Sequence, residues 1–275
     1  MNRISNLRLG QIELGLTERD KAILRTIRQL RFVKTDQLRR LYFPNLTRSL
    51  QASKTAAIKK LNRFKADGLV DYLPREYNKA RYGAQSLIWY LTEAGNRLLD
   101  LGIEDEKKRK RTQESSPTFL RHTIAVAECF VQVTEICRGE EQMRLTSVVV
   151  EPECWRAYEH KGMQISLRPD LYAETVSGKY FDHWFIEIDL ATESISTIIN
   201  KCKRYHEYYL TNKEQHATGV FPLALWIVPT EERKQKMIEA IKETFGNRRA
   251  HIFLVITPDE LRAVLQDGAP EDKLC

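Results

Sequence analysis

The apolar positions of this chain follow a helical rhythm in its first third and a mixed helix-and-strand rhythm afterwards. From Thr17 to Arg31, the residues Ile23, Leu24, Ile27 and Leu30 recur at the spacing of an amphipathic helix. Thr17 suits its N-cap, and Asp20, at the third helical position, can answer it. A short helix follows from Thr35, with Leu38 and Leu41 on one face and Pro44 as its stop. A third is predicted from about Ser53 to Asp67, with Ile58, Leu61 and Phe64 turned inward and Gly68 at its left-handed end. LVDYLP and SLIWYLT then read as the strands of a hairpin, and Thr92 to Leu101 as a closing helix. Three helices, a hairpin and a last helix is the element order of a winged helix-turn-helix.

Beyond it, Thr118 to Cys137 has a helical apolar period, and LTSVVVEP, ISLRPDLYAE and YFDHWFIEIDL read as strands, the last two adjacent. Ser194 to Leu210 reads as a helix, LALWIVPT as a buried strand, Glu231 to Phe245 as a helix, and HIFLVITP as a strand before a short helix. This alternation predicts an α/β layered domain with a mixed sheet. Between the two parts, residues 104–118 (EDEKKRKRTQESSPT) lack a hydrophobic period. The expected organisation is therefore a winged-helix domain over 1–103, a charged linker over 104–118 and an α/β domain over 119–275. The linker's KKRKR run reads equally as a solvated tether or as a phosphate contact.

Charge sharpens this division. The net charge is +7, but residues 1–115 hold 25 Lys and Arg against 13 Asp and Glu, whereas the rest holds 19 against 24. A basic front part points to phosphate contact there. Double-stranded DNA is the expected partner; a homodimer is compatible with this reading. Five cysteines without a C-x-x-C pair argue against a zinc site and a disulfide framework. No apolar run approaches the ~20 residues of a membrane span, and a secretory signal is not recognised at the front. A cytoplasmic protein with no membrane partner is expected.

The third helix has recognition-helix chemistry: Lys54, Thr55, Lys59, Lys60 and Arg63 fall outside its apolar stripe. The hairpin loop adds Arg75, Lys79 and Arg81 as a basic wing. In the second part, the two-residue period puts Asp170, Tyr172 and Glu174 on one side of their strand. It likewise puts Glu187 and Asp189 on one side of theirs, with Ile186, Ile188 and Leu190 toward the core. On neighbouring strands, Asp170, Glu187 and Asp189 would converge. Clustered acids are costly unless neutralised, and Mg²⁺ or Mn²⁺ suits oxygen ligands.

An R-P-D strand, a strand ending in acids, and a helix bearing lysine resemble the PD-(D/E)xK nuclease superfamily. That resemblance implies a divalent-metal-dependent DNA endonuclease, a nickase, with Asp170 and Glu187 as metal-binding acids and Glu128 as an assisting helical acid. Asp189 stands where the motif has its lysine, and Lys201 on the next helix is the candidate for a migrated lysine. Over Thr17 to Phe245 the chain also resembles the replication-relaxation family of plasmids and mobile elements. The pieces are T-E-R-D, L-T-E-A-G, R-H-x-x-A-V at Arg121–Val126, R-P-D, F-I-E-I-D-L-A-T-E-S, and K-x-x-x-Y at Lys201–Tyr205. This implies DNA binding in plasmid replication and relaxation. The alternative is a non-enzymatic initiator or regulator whose α/β domain serves dimerisation or partner docking. Tyr205, Tyr208 and Tyr209 are weak nucleophile candidates, read mainly as core or surface aromatics.

Overall fold

A computed structural model describes residues 4–44, 49–74, 87–101, 116–246 and 250–268. The protein is mixed α and β and divides into two compact units, one up to Val131 and one from Gln132. The wing cations Arg75, Lys79 and Arg81 and residues 104–115 of the charged stretch lie outside the described residues.

The first unit opens on α1 (Asn6–Leu14), which sequence reading passed over. It has no clean stripe: Leu9 alone is buried, while Leu7 and Leu14 are exposed. α2 (Glu18–Leu30) starts at Thr17 with a reciprocal cap, Asp20 N–H to Thr17 Oγ1 and Thr17 N–H to Asp20 Oδ2, both 3.2 Å. This is the structural content of the T-E-R-D motif. β1 (Val33–Lys34), α3 (Thr35–Tyr42) and α4 (Leu50–Ala66) follow. α4 starts three residues before its expected Ser53. The cap is Ser49, whereas Ser53 is buried and its hydroxyl donates to the Phe43 carbonyl. The inward face is Ser53, Ala57, Leu61 and Phe64; Ile58, expected inside, is 46% exposed.

β2 (Val70–Tyr72) and β3 (Ile88–Leu91) pair antiparallel, and β1 adds to the far edge of β3. α5 (Glu93–Leu99) closes the unit, capped by Thr92. Gly95 explains the L-T-E-A-G motif: a β-carbon there would lie 2.1 Å from the Leu69 carbonyl oxygen, so only glycine lets the helix approach the strand this closely. α6 (Pro117–Gly139) then begins, and Leu120, with Phe119 and Ile124 beside it, packs on Phe32 and Ile88. The division between the two compact units falls within the residues of this helix.

In the second unit, β4 (Met143–Val150), β7 (Leu171–Ser177), β8 (Tyr180–Ile188), β9 (Leu223–Ile227) and β10 (Phe253–Ile256) form a mixed sheet. Its order is β10-β9-β8-β7-β4, parallel from β10 to β8 and antiparallel from β8 to β4. The single strand expected over ISLRPDLYAE is two. β6 (Met163–Leu167) pairs with β5 (Arg156–His160) in a separate hairpin, and β7 enters the main sheet. Pro169 sits at the break, where its missing N–H costs neither sheet a bond.

The parallel connections are α7 (Ile195–Tyr209) with the short α8 (Lys213–Thr218), and α9 (Glu231–Phe245). Both α7 and α9 contribute to the core on one face, against Tyr172, Phe185, Trp226 and Phe253. The other face (Ala173, Trp184, Ile186, Leu225, Leu254) is buried too. The core therefore lies on both sides of β8, not only on the side of Ile186 and Ile188 as its alternation suggested. After β10, a 3₁₀ turn (Pro258–Glu260) leads to α10 (Leu261–Asp267).

At that turn burial alone would raise the Glu260 pKa, but Lys234 at 2.7 Å and the Thr257 N–H hold it at about 2. A depressed carboxylate stabilises the fold above its unfolded value and ceases to do so as pH falls through the folded one. Glu260→Gln is thus expected to cost about 2 kcal/mol at neutral pH, a deficit that closes between pH ~4.5 and ~2. Urea midpoints of both proteins across that range check this; a pH-independent gap would refute it.

Candidate functional site

The R-P-D and F-I-E-I-D segments meet at the carboxyl end of β8. Leu171 pairs with Ile186, so Asp170 comes one position beyond that pair, level with Glu187. Strand alternation puts Asp170, Tyr172, Phe185 and Glu187 on the face covered by α7. Both acids are buried, Asp170 at 8% and Glu187 at 3% exposure. Asp170 Oδ2 accepts the Ile188 N–H at 2.8 Å, which pins its carboxylate to β8. Glu187 Oε1 accepts the Tyr205 hydroxyl at 2.7 Å.

Burial and the neighbouring Asp170 charge push the Glu187 carboxyl well above its ordinary range, against the pull of Lys201 and Tyr205. For Lys201, burial works against the ammonium, but Glu187, Glu193 and Asp170 outweigh it and the pKa rises. Lys201 Nζ also bonds Glu193 Oε2 at 3.1 Å. Two buried carboxylates thus feel one ammonium that is itself 39% exposed. The K-x-x-x-Y spacing was the available signal for Tyr205: residues one helical turn apart put the amine and the phenol over the same acid. Weighed in the sequence as a weak nucleophile and mainly as a core aromatic, it emerges instead as the hydrogen-bond donor to Glu187.

Asp189, the third expected acid of this unit, does not join them. Asp189 lies just past β8, where Arg233 forks it through Nε to Oδ2 at 2.7 Å and Nη2 to Oδ1 at 3.3 Å. Its Oδ1 also accepts the Ala191 N–H at 2.9 Å. Arg233 was missed because it sits 44 residues downstream, on a helix whose outer face looked merely charged. Glu128, on α6 in the first unit, accepts Gln37 Nε2 at 3.0 Å and pairs with Arg40. Among the described residues no group of three or more His, Cys, Asp or Glu is placed to hold a metal ion. The expected convergence of Asp170, Glu187 and Asp189 thus reduces to two acids, because an arginine occupies the third.

Two of the three aromatic nucleophile candidates are engaged through their hydroxyls. Tyr205 is held protonated by burial and by Glu187. Tyr208 donates to Glu214 at 2.7 Å, and burial raises its pKa as well.

In the first unit, Lys54, Thr55, Lys59 and Arg63 are exposed on α4. Lys60 is not free as expected: its Nζ lies 2.7 Å from Asp20, whose side chain is 2% exposed. Burial would raise the Asp20 pKa, but Lys60 and the Thr17 cap bring it below the ordinary value. No helix among the described residues is long and apolar enough to cross a membrane.

No curated protein and no solved structure matches the chain. The replication-relaxation family does, over residues 24–224, a span that takes in α4, the R-P-D turn, both buried acids and the K-x-x-x-Y helix. The chain belongs to the replication-relaxation family.

Proposed function

We propose that this protein binds duplex DNA with its first unit and cuts a DNA strand with its second, in the replication and relaxation of plasmid or mobile-element DNA. The carrying observation is the buried pair Asp170 and Glu187, level on adjacent strands, with Lys201 on the helix above. Mg²⁺ commonly takes only one or two carboxylates and completes its shell with water and phosphate oxygens, and this donor set fits that habit. A bound divalent cation would supply charge at the phosphoryl group and activation of the attacking water. Asp170 and Glu187 would hold it, and Lys201 would balance charge that develops on the phosphate.

The first unit's order, α2, β1, α3, α4 and the β2–β3 hairpin, supports a winged helix-turn-helix with α4 as its recognition helix. Lys54, Thr55, Lys59 and Arg63 would meet the DNA, whereas Lys60 would not, being spent on Asp20. Reversing charge at Lys59 and Arg63 together is expected to weaken duplex binding by about 1–3 kcal/mol per contact and to flatten its salt dependence. Fluorescence anisotropy of the full chain with labelled duplex tests this; absence of duplex binding by the wild type at low salt would end the reading.

A second reading is favoured by the commitment of Asp189 to Arg233 and of Glu128 to Arg40. On it the second unit has no metal and serves dimerisation or partner docking in a non-enzymatic initiator. Mn²⁺ titration by calorimetry separates the two, since only the first requires a site that Glu187→Gln weakens.

A further inference from the structure

The α/β unit has a second feature, apart from the acid pair. Between β6 and the outer face of α7 runs a cleft of about 550 Å³, lined by Gln164, Ser166 and Arg168 from one side and Asn200, Lys203 and Arg204 from the other. Asn200, Lys203, Arg204 and Glu207 follow each other at i, i+3, i+4 and i+7, so they form one stripe opposite the buried stripe of Ile198, Cys202 and Tyr205.

The charge in this cleft is uneven. Arg168, Lys203 and Arg204 are exposed, and none of the three is within 4.0 Å of a carboxylate among the described residues. Glu207, the acid in the lining, accepts the Tyr158 hydroxyl at 3.1 Å. Arg168 is braced instead by a ring, its guanidinium 4.6 Å from the centroid of Trp155. A stacked guanidinium keeps its in-plane donors available for an anion. Three cations against one carboxylate in a concave polar surface leave it net positive, and such a surface attracts a polyanion.

Position supplies the rest. Arg168 stands two residues before Asp170, and Asn200 and Lys203 flank Lys201 in sequence. The cleft is thus tied in sequence to Asp170 through Arg168 and to Lys201 through α7.

We propose that the β6–α7 cleft binds the phosphodiester backbone of a DNA strand. The identity of the polyanion rests on the DNA reading above; the site itself rests on the cleft. It is a second DNA contact, separate from α4, and it makes the α/β unit a contributor to affinity.

The test measures Kd of the full chain for labelled single-stranded and duplex oligonucleotides from low to moderate NaCl. The triple variant Arg168→Ala, Lys203→Ala, Arg204→Ala is expected to reduce the slope of log Kd against log salt by roughly 2–3, near one per lost phosphate contact. Loss confined to the single-stranded arm assigns the cleft an unpaired strand; loss in both assigns it a duplex backbone. Should the triple variant misfold by circular dichroism, Lys203→Glu, at an exposed helix position, gives the same readout with a slope change of about 1. Wild-type binding with an unchanged slope in the folded variant overturns the cleft and spares the DNA reading. Failure of the wild type to bind either oligonucleotide overturns both.

Discussion

In relaxation of supercoiled plasmid with Mg²⁺ or Mn²⁺, Asp170→Asn and Glu187→Gln are each expected to lower strand cutting by roughly 10²–10³-fold, the scale of losing a preorganised electrostatic group. Duplex affinity should stay within about twofold, because neither acid belongs to the basic surfaces proposed to hold the duplex. Both variants preserve local structure. An asparagine oxygen can still accept the Ile188 N–H, and a glutamine oxygen can still accept the Tyr205 hydroxyl. What changes is the ligand: an amide is neutral and binds a hard cation more weakly than a carboxylate. Lys201→Ala should slow cutting and leave Mn²⁺ affinity nearly intact, since its proposed role is at the phosphate. Cutting by either acid variant at the wild-type rate would place the chemistry elsewhere. No cutting by the wild type, with cognate origin DNA and metal present, would favour the non-enzymatic reading.

The acid pair was legible because strand alternation is a strict rule. Asp170 and Glu187 each sit in a recognisable strand pattern, and adjacency of the two strands followed from the short turn between them. Asp189 fails the same rule for a local reason. β8 ends at Ile188, and the chain turns at Ala191, which has φ +57, so period-two reasoning no longer applies where the acid stands. Arg233 was illegible because nothing local marks an exposed-looking helix residue as the partner of an acid 44 positions earlier. Lys60 illustrates a similar blindness. Its helix face is polar, and only the burial of Asp20 on another helix turns a solvated cation into half of an ion pair. The β5–β6 hairpin was missed because R-P-D was read as the middle of one strand, although a proline inside a run argues against that. With the hairpin went the cleft, since one of its walls is β6.

Arg233→Ala is expected to destabilise the second unit by about 3 kcal/mol, near the lower end of the 3–5 kcal/mol seen when one partner of a buried pair is removed. The lower end applies because Arg233 keeps 16% of its side-chain exposure, while Asp189 keeps only 4%. Without the guanidinium, Asp189 is left among the described contacts with the Ala191 N–H, too little to replace a charged fork. Asp189→Asn in the same chain should recover part of the loss, because a neutral amide is cheaper to bury than an orphaned charge. Urea unfolding of the two variants and the wild type measures both steps. A cost below about 0.5 kcal/mol, the level of an ordinary surface pair, would refute the argument. The same variant bears on function through a second contact. Arg233 Nη2 also donates to the Glu193 carbonyl at 2.7 Å, and the Glu193 carboxylate holds Lys201. On the proposed reading Arg233 acts as a positioning residue for Lys201, and its loss should lower the rate of cutting more than it lowers Mn²⁺ affinity. If Asp189 were instead a metal ligand kept in reserve, freeing it from Arg233 would tighten Mn²⁺ binding, and calorimetry on Arg233→Ala would register the gain.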